Sequence, residues 1–324
     1  VPMSGDTARR SARATITRET TVRAFAKINL SLRILHKRPD QFHELRSVFQ
    51  TISLSDELQI RFTPLAETST TIDGNIQIAD NLVERAARLC LDEIKLTGAV
   101  EFVLRKRIPM GAGLGGGSSD AAAVLLALPV LAGRIVPLER LLALASQLGS
   151  DVAFFLLGGT AIGLGRGEEI YPLPDRKPAR GVLIAPDIHV ATADAYRALS
   201  ARLTTHLQQN KLVSFQSETW QGNRGRSEND FEEVVFERHP NLKLLKSRLR
   251  ELGAKPAMMT GSGSALFGIF ESRDQISRAL ESFKEESIYP ISLVSRASYR
   301  SVWLRRLRPH IQGDPWPPRS RYAQ

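Results

Sequence analysis

The chain has 324 residues, 42% of them hydrophobic and 24% charged, which suits a globular protein with room for two domains, each with its own core. No apolar run approaches the ~20 residues of a membrane span, the arginine-bearing start VPMSGDTARR has no apolar segment of the kind a secretory signal carries, and the single cysteine, Cys90, excludes an intramolecular disulfide, so a cytoplasmic location is expected. The net charge of +10 sits mostly at the ends: residues 1–23 hold five arginines against two acids (+3), and residues 301–324 five arginines against one (+4). Such ends read as solvated basic tails, assigned to 1–20 and 304–324, rather than as the basic face of a nucleic-acid binder.

From Val22 the pattern becomes ordered. TVRAFAKINLSLRIL alternates like a half-buried strand, and RSVFQTISLSDELQIRF continues with two more strand-like runs. NLVERAARLCLDEIKL has helical spacing and contains Cys90, which reads as a small buried residue. VEFVLRKRIP returns to strand character, and a glycine-rich loop leads into a helix from about Ser118 to Leu128. PLERLLALASQLG reads as a helix stopped by Gly149. FFLLGGTAIGLGRGEEIYPL reads as strand and turn, and the proline-rich PLPDRKPAR at 172–180 as a boundary between domains 21–175 and 176–303. The second half repeats the mixture: a strand in RGVLIAPDI, a helix in TADAYRALSARL, a polar insertion near 208–228, and two helices in NDFEEVVFERHPNLKLLKSRLRELG. A second glycine turn in MMTGSGSALFGIF, a helix in ISRALESFKEE and a closing strand in SLVSRASYRSVWL complete it. The class is α+β with mixed sheets.

The stretch PMGAGLGGGSSDAAAVLLAL, residues 109–128, carries the chemistry most plainly. Glycine weakens a helix, so five glycines just ahead of one need a reason, and backbone N–H groups converging on an anion supply it. The loop lacks the G-x-x-x-x-G-K-[ST] lysine, since Asp120 follows its serines, so positive charge comes from elsewhere. Asp151, just after the Gly149 helix stop, sits on a turn where a carboxylate can reach into a cleft; as an isolated feature it also reads as a helix cap. Lys27 is an ammonium in a strand-like run, where burial without a partner is costly; it either has such a partner or faces the surface.

The loop resembles the P-x-G-x-G-L-G-[GS]-S-[SA] signature of the kinases grouped with galactokinase, homoserine kinase, mevalonate kinase and phosphomevalonate kinase, the GHMP superfamily. AFAKINLSLRIL at 24–35 and TGSGSALFGIF at 260–270 resemble its first and third motifs. DQFHEL, VFQTISLSD, DNLVERA, LGSDV and GRGEEI are similar to the branch of that superfamily that acts on a cytidine-diphosphate-linked methylerythritol, with Gln41 where that branch usually has glycine.

The resemblance spans about 22–303. It implies a two-domain α+β fold, an N-terminal domain resembling the second domain of ribosomal protein S5 with a left-handed βαβ crossover, and an active site in the interdomain cleft. It implies ATP as co-substrate, bound by Pro109, Met110, Gly111, Ala112, Gly113, Leu114, Gly115, Gly116, Gly117, Ser118 and Ser119 around the phosphates, and by Asn81 and Lys106 beside the adenine. It implies catalysis by Asp151 and Lys27 on the 2-hydroxyl of a small-molecule alcohol, with Asn29 orienting the substrate. Phe42 and Tyr196 would hold the cytosine between them, with His43 on its edge. Mg2+ is expected from the charge of ATP, although no metal-ligand cluster stands out; Ser118 or Ser119 is the candidate ligand. A homoserine- or mevalonate-type kinase is the near alternative, against which Phe42, His43 and Tyr196 speak because those substrates have no base. A non-catalytic basic nucleic-acid-binding protein is the distant one. No membrane partner is expected, and the sequence carries no signal of oligomeric state.

Overall fold

Two long antiparallel strands form the spine of the protein in the computed structural model, which describes residues 16–200, 202, 213 and 228–323. Strands β1 (Arg18–Lys37) and β2 (His43–Pro64) pair along almost their whole length. Apolar side chains fill the middle of β1, where Ala24, Ala26, Ile28, Leu30 and Leu32 are all buried. RSVFQTISLSDELQIRF is therefore one strand rather than two runs. The N-terminal basic segment is also shorter than expected, because β1 is in register with β2 from Arg18 onward.

The strands β3 (Ser69–Gly74), β4 (Gly98–Arg105), β5 (Thr160–Leu164) and β6 (Glu169–Pro172) complete a six-stranded sheet in the order β3-β4-β2-β5-β6, with β1 paired to β2. Helix α1 (Leu82–Ile94) joins β3 to β4, and these two strands pair in parallel. Cys90 lies on α1, fully buried, and burial pushes its thiol pKa up. Helix α2 (Gly116–Ala132) is apolar on every side and buried from Ser119 to Ala132. It is enclosed by the sheet, by α1, by α3 (Leu138–Leu148) and by α4 (Val152–Leu157). Helix α4 corrects the strand expected in FFLLGGTAIGLG: FFLL is helical and the strand starts only at Thr160, after Gly158 and Gly159. A short apolar run has no periodicity to tell helix from strand.

At residues 173–179 the chain passes to a four-stranded antiparallel sheet, β7 (Arg180–Ile184), β8 (Ala257–Met259), β9 (Leu266–Phe270) and β10 (Ile288–Ser292), ordered β10-β7-β9-β8. Helices α5 (Thr192–Ser200), α6 (Phe231–Arg238), α7 (Pro240–Glu251) and α8 (Arg273–Ser282) accompany it. Most of the polar insertion near 208–228 lies outside the described residues, as do residues 1–15.

The last element overturns an expectation. The run expected to close the fold as a strand is helix α9 (Arg296–Leu307), begun by the Ser295 side chain accepting from Ser298 N. Tyr299, Trp303 and Leu307 recur every four residues and are buried in the core of the first sheet, so the chain returns to the domain where it began.

The residues after α9 are not a solvated tail. His310 bonds the backbone carbonyl of Glu19 (2.9 Å), Trp316 Nε1 donates to Leu156 O (2.9 Å), and Ser320 Oγ donates to Val130 O (2.7 Å). The Arg18 guanidinium lies 4.0 Å from the Tyr322 ring centre and donates to Leu131 O. The segment thus fastens the far ends of β1, α2 and α4. Deleting residues 308–324 removes the bonds of His310, Trp316 and Ser320, the Arg18–Tyr322 contact and the burial of Ile311. At about 1 kcal/mol per hydrogen bond plus the apolar contact, a melting-temperature drop on the order of 10 °C is expected by calorimetry. An unchanged melting temperature would show that the segment is a tail after all.

Candidate active site

Two irregularities in β1 create the centre of the site. Its register against β2 shifts between Phe25 and Lys27 and again between Asn29 and Ser31. Such bulges free backbone groups and re-aim side chains. Here Lys27 N donates to Leu114 O (3.0 Å) in the glycine loop, and Asn29 N donates to Thr260 Oγ1 (3.1 Å) in the second glycine turn. The strand is thereby sewn to both loops.

The Lys27 ammonium, almost fully buried, is 3.4 Å from Asp151 Oδ2 and donates to Asn29 Oδ1 (2.9 Å). Asp151 ends the turn after Gly149 and opens α4, but its carboxylate makes no capping hydrogen bond, which disposes of the cap reading. The side chain is 29% exposed and borders a cavity of about 710 Å³. A half-open carboxylate held against a buried ammonium suits proton abstraction from an alcohol.

On one side of this pair lies the loop 109–117. Gly113 and Gly115 have φ of +77° and +69°, and a Cβ on Gly113 would stand 2.3 Å from Thr260 O, so neither tolerates a side chain. No side chain caps α2 and no acid sits in its first turn. Its N-terminal amides and the positive end of its dipole are therefore left for an anion. Gly117 is different: it is exposed, its φ is ordinary for a helix, and a Cβ there would meet nothing nearer than Leu82 at 3.6 Å. Packing and backbone conformation therefore do not require glycine at 117.

On the other side the cavity wall carries Phe42, His43, Tyr196, Thr192, Arg166 and Phe231. The Tyr196 ring is stacked on His43 (centroids 4.8 Å apart, planes at 26°) and edge-on to Phe231. His43 Nε2 bonds Ser200 Oγ, and burial with the nearby Lys37 and His36 lowers its pKa. Burial, with Asp151 close by, pushes the Tyr196 hydroxyl up to about 12. Phe42 is half exposed and has the Arg166 guanidinium over its ring at 4.7 Å. Gln41 takes φ +70°, so it adopts the left-handed turn that glycine would supply and Phe42 is still delivered to the cavity.

The aromatic residues are thus gathered as expected, but not as two open faces. His43 lies on Tyr196 and is bonded to Ser200 rather than standing at the edge of a slot between Phe42 and Tyr196. Lys106 needs a larger correction. Its ammonium is buried in an ion-pair cluster with Asp56 and with Asp120 (2.7 Å), so it is not offered to an adenine. Burial opposes charge on Lys106, and the two carboxylates outweigh it and raise its pKa; burial raises that of Asp120. Asn81 caps α1, its side-chain oxygen accepting from Val83 N (3.0 Å). Asn29 is buried, its amide oxygen accepting from Lys27 Nζ and Gly261 N and its amide nitrogen donating to Ser47 Oγ. Ser119 Oγ is buried without a partner. Among the described residues no group of three or more His, Cys, Asp or Glu is placed to hold a metal. No described helix is long and apolar enough to cross a membrane.

Sequence reasoning missed Thr192, Arg166 and Thr260. GRGEEI and TGSGS carried Arg166 and Thr260 as parts of motifs, but neither residue type advertised a role.

The fold, the glycine loop and the lysine–aspartate pair are those of a GHMP kinase. Residues 81–159 match the family described as the GHMP kinases N terminal domain, and residues 218–288 the GHMP kinases C terminal family. The chain is 59% identical over 311 residues to the 4-diphosphocytidyl-2-C-methyl-D-erythritol kinase of Solibacter usitatus, covering 94% of this chain and 98% of that protein. It is 36% identical to the enzyme of the same name from Geobacillus kaustophilus, over 80% of this chain and 90% of the relative. A crystal structure of 4-(cytidine 5'-diphospho)-2C-methyl-D-erythritol kinase superposes with a TM-score of 0.71 at 37% identity, covering 86% of this chain and 99% of that one. Homoserine kinase from Cytophaga hutchinsonii (TM-score 0.62, 18% identity, 86% of this chain and 95% of that one) shares the fold. The chain belongs to the 4-diphosphocytidyl-2-C-methyl-D-erythritol kinase family.

Proposed function

We propose that the protein transfers the γ-phosphoryl group of ATP to the 2-hydroxyl of 4-diphosphocytidyl-2-C-methyl-D-erythritol, a step of the non-mevalonate route to isoprenoid precursors. The observation that carries this reading is the Lys27–Asp151 pair, 3.4 Å apart, set between an uncapped helix N-terminus and a cavity lined with aromatic rings. Asp151 takes the hydroxyl proton as the alcohol oxygen bonds to the γ-phosphorus and the bond from that phosphorus to the β,γ-bridging oxygen breaks, releasing ADP. Lys27 offsets the charge that develops on the attacking oxygen, and the amides of loop 111–119 hold the phosphates. The cytosine end lies against Phe42, His43 and Tyr196, with His43 and Arg166 swinging off the ring faces they now cover.

ATP would bring Mg2+ with it, and that ion would offset the charge of the phosphates; the Ser118 and Ser119 hydroxyls at the start of α2 are the side chains that would reach it. Asn81 and the backbone near Lys106 border the adenine, while the Lys106 ammonium stays in its buried cluster. The reaction itself is tested by incubating the protein with ATP, Mg2+ and the diphosphocytidyl alcohol and locating the new phosphate by 31P NMR. A 2-phosphomonoester is expected; ADP formation without it would contradict the reading.

The glycine loop has its own test. Gly115→Val is a poor probe, because the new Cβ would meet the Phe155 ring at 2.9 Å in a backbone conformation that valine resists. Gly117→Val is the better one. It should leave the melting temperature unchanged, because a Cβ there meets nothing nearer than Leu82 at 3.6 Å, and raise the KM for ATP at least about tenfold, because this reading seats the phosphates on the amides at the start of α2. Unchanged ATP affinity by calorimetry would remove this part of the loop from the phosphate site.

A further inference from the structure

The Asn29 amide is the hub through which Lys27 is held, and its orientation is decided by two hydroxyls with no assigned role. Asn29 Oδ1 accepts from Lys27 Nζ (2.9 Å), from Gly261 N (2.9 Å) and from Thr260 Oγ1 (3.1 Å). On its other side Asn29 Nδ2 donates to Ser47 Oγ (2.7 Å). Ser47 gives its only proton to Ser31 O (2.9 Å), so toward Asn29 it acts as an acceptor. A flipped amide would turn its NH2 toward an ammonium and a backbone N–H, and its oxygen toward a hydroxyl with no proton left. The network admits one orientation.

Thr260 adds the link between domains. It lies after β8, in the second glycine turn, and is fully buried. Its hydroxyl accepts from Asn29 N (3.1 Å), donates to Asn29 Oδ1, and lies 3.4 Å from Gly113 O; its own carbonyl fills the space that a side chain on Gly113 would need. One side chain of the C-terminal half therefore touches both the phosphate loop and the residue that holds the catalytic cation.

We propose that Thr260 and Ser47 are positioning residues for phosphoryl transfer, which hold the Asn29 amide oxygen on Lys27 and thereby keep the ammonium beside Asp151. The proposal rests on the assignment of Lys27 and Asp151 made above. Neither hydroxyl touches substrate. Both act through Asn29, so their loss falls on kcat, as expected for a charge displaced from a developing alkoxide, and leaves ground-state binding largely intact.

Thr260→Val keeps the volume and removes the hydroxyl, Thr260→Ser keeps the hydroxyl, and Ser47→Ala frees the amide from the opposite side. The full-length variants are compared by kcat and by KM for each substrate. Thr260→Val is expected to lower kcat about tenfold to a hundredfold with the KM for ATP within about threefold of wild type, and Thr260→Ser to recover most of the loss. Ser47→Ala should lower kcat likewise, and the Thr260→Val/Ser47→Ala pair should fall short of the product of the single losses, because both act on one amide. Wild-type kcat in Thr260→Val, equal losses in Thr260→Val and Thr260→Ser, or a rise in the KM for ATP at constant kcat would each overturn the proposal. If Thr260→Val does not fold, Ser47→Ala decides alone, and wild-type kcat in it overturns the proposal. Asp151→Asn run alongside separates the two levels. An inactive Asp151→Asn with a fully active Thr260→Val sinks only the positioning role, whereas an active Asp151→Asn sinks the catalytic assignment and the proposal with it.

Discussion

Replacing Asp151 with asparagine should reduce kcat by about a hundredfold to ten-thousandfold while leaving ATP affinity within a few-fold of wild type, the range over which a general base contributes. Asparagine has nearly the same shape, so the cavity is preserved. The Asp151 side chain makes no capping bond to α4, so its replacement leaves no helix amide newly unsatisfied. Lys27 loses its carboxylate but keeps its bond to Asn29, which holds the buried ammonium in place. Activity and stability therefore separate: a melting temperature within a few degrees of wild type, with phosphoryl transfer nearly gone. Steady-state kinetics with calorimetric ATP titration checks both, and a variant retaining more than about a tenth of wild-type kcat would remove Asp151 from the mechanism.

Tyr196→Ala should raise the KM for the alcohol substrate about tenfold to a hundredfold with ATP affinity unchanged, using the ~1–3 kcal/mol that a base–aromatic stack is worth in nucleic-acid binders. The structure adds a control. Tyr196 is packed between His43 and the edge of Phe231, so its loss also loosens the wall and lowers stability. Tyr196→Phe keeps the ring, and should keep both the packing and a KM near that of wild type. A Tyr196→Ala enzyme with unaltered KM would show that the ring is core packing alone. Phe42→Ala should act in the same direction, since Gln41 preserves the turn that presents the ring to the cavity.

Much of the site is legible in residues 109–119, because a run of glycines before an apolar helix has few physical explanations. The pairing of Lys27 with Asp151, 124 positions apart, is legible only through family motifs: strand alternation says that an ammonium is misplaced in β1, not what it faces. Lys106 escapes a local reading for a related reason. Its partners Asp56 and Asp120 come from β2 and α2, and no local pattern brings the three together. Helix α9 reads as a strand although Tyr299, Trp303 and Leu307 recur every four residues, because the valines and serines around them imitate alternation. Arginines and prolines make 308–323 look like a tail, whereas single side chains there reach carbonyls at the ends of three elements. Long-range hydrogen bonds of that kind leave no trace in composition.

The measurement that bears most directly on the proposed activity is kcat/KM for two alcohols side by side: the diphosphocytidyl methylerythritol, and the methylerythritol phosphate without its cytidine. Both offer Asp151 the same tertiary hydroxyl, so chemistry alone would treat them alike. Under the proposed function the wall carrying Phe42, His43 and Tyr196 receives a flat ring that only the first possesses. With a stack worth ~1–3 kcal/mol and edge hydrogen bonds from His43 added, the cytidylyl substrate should be preferred by at least about a hundredfold. Equal values would contradict the proposed activity, because they would mean that the cavity holds no base.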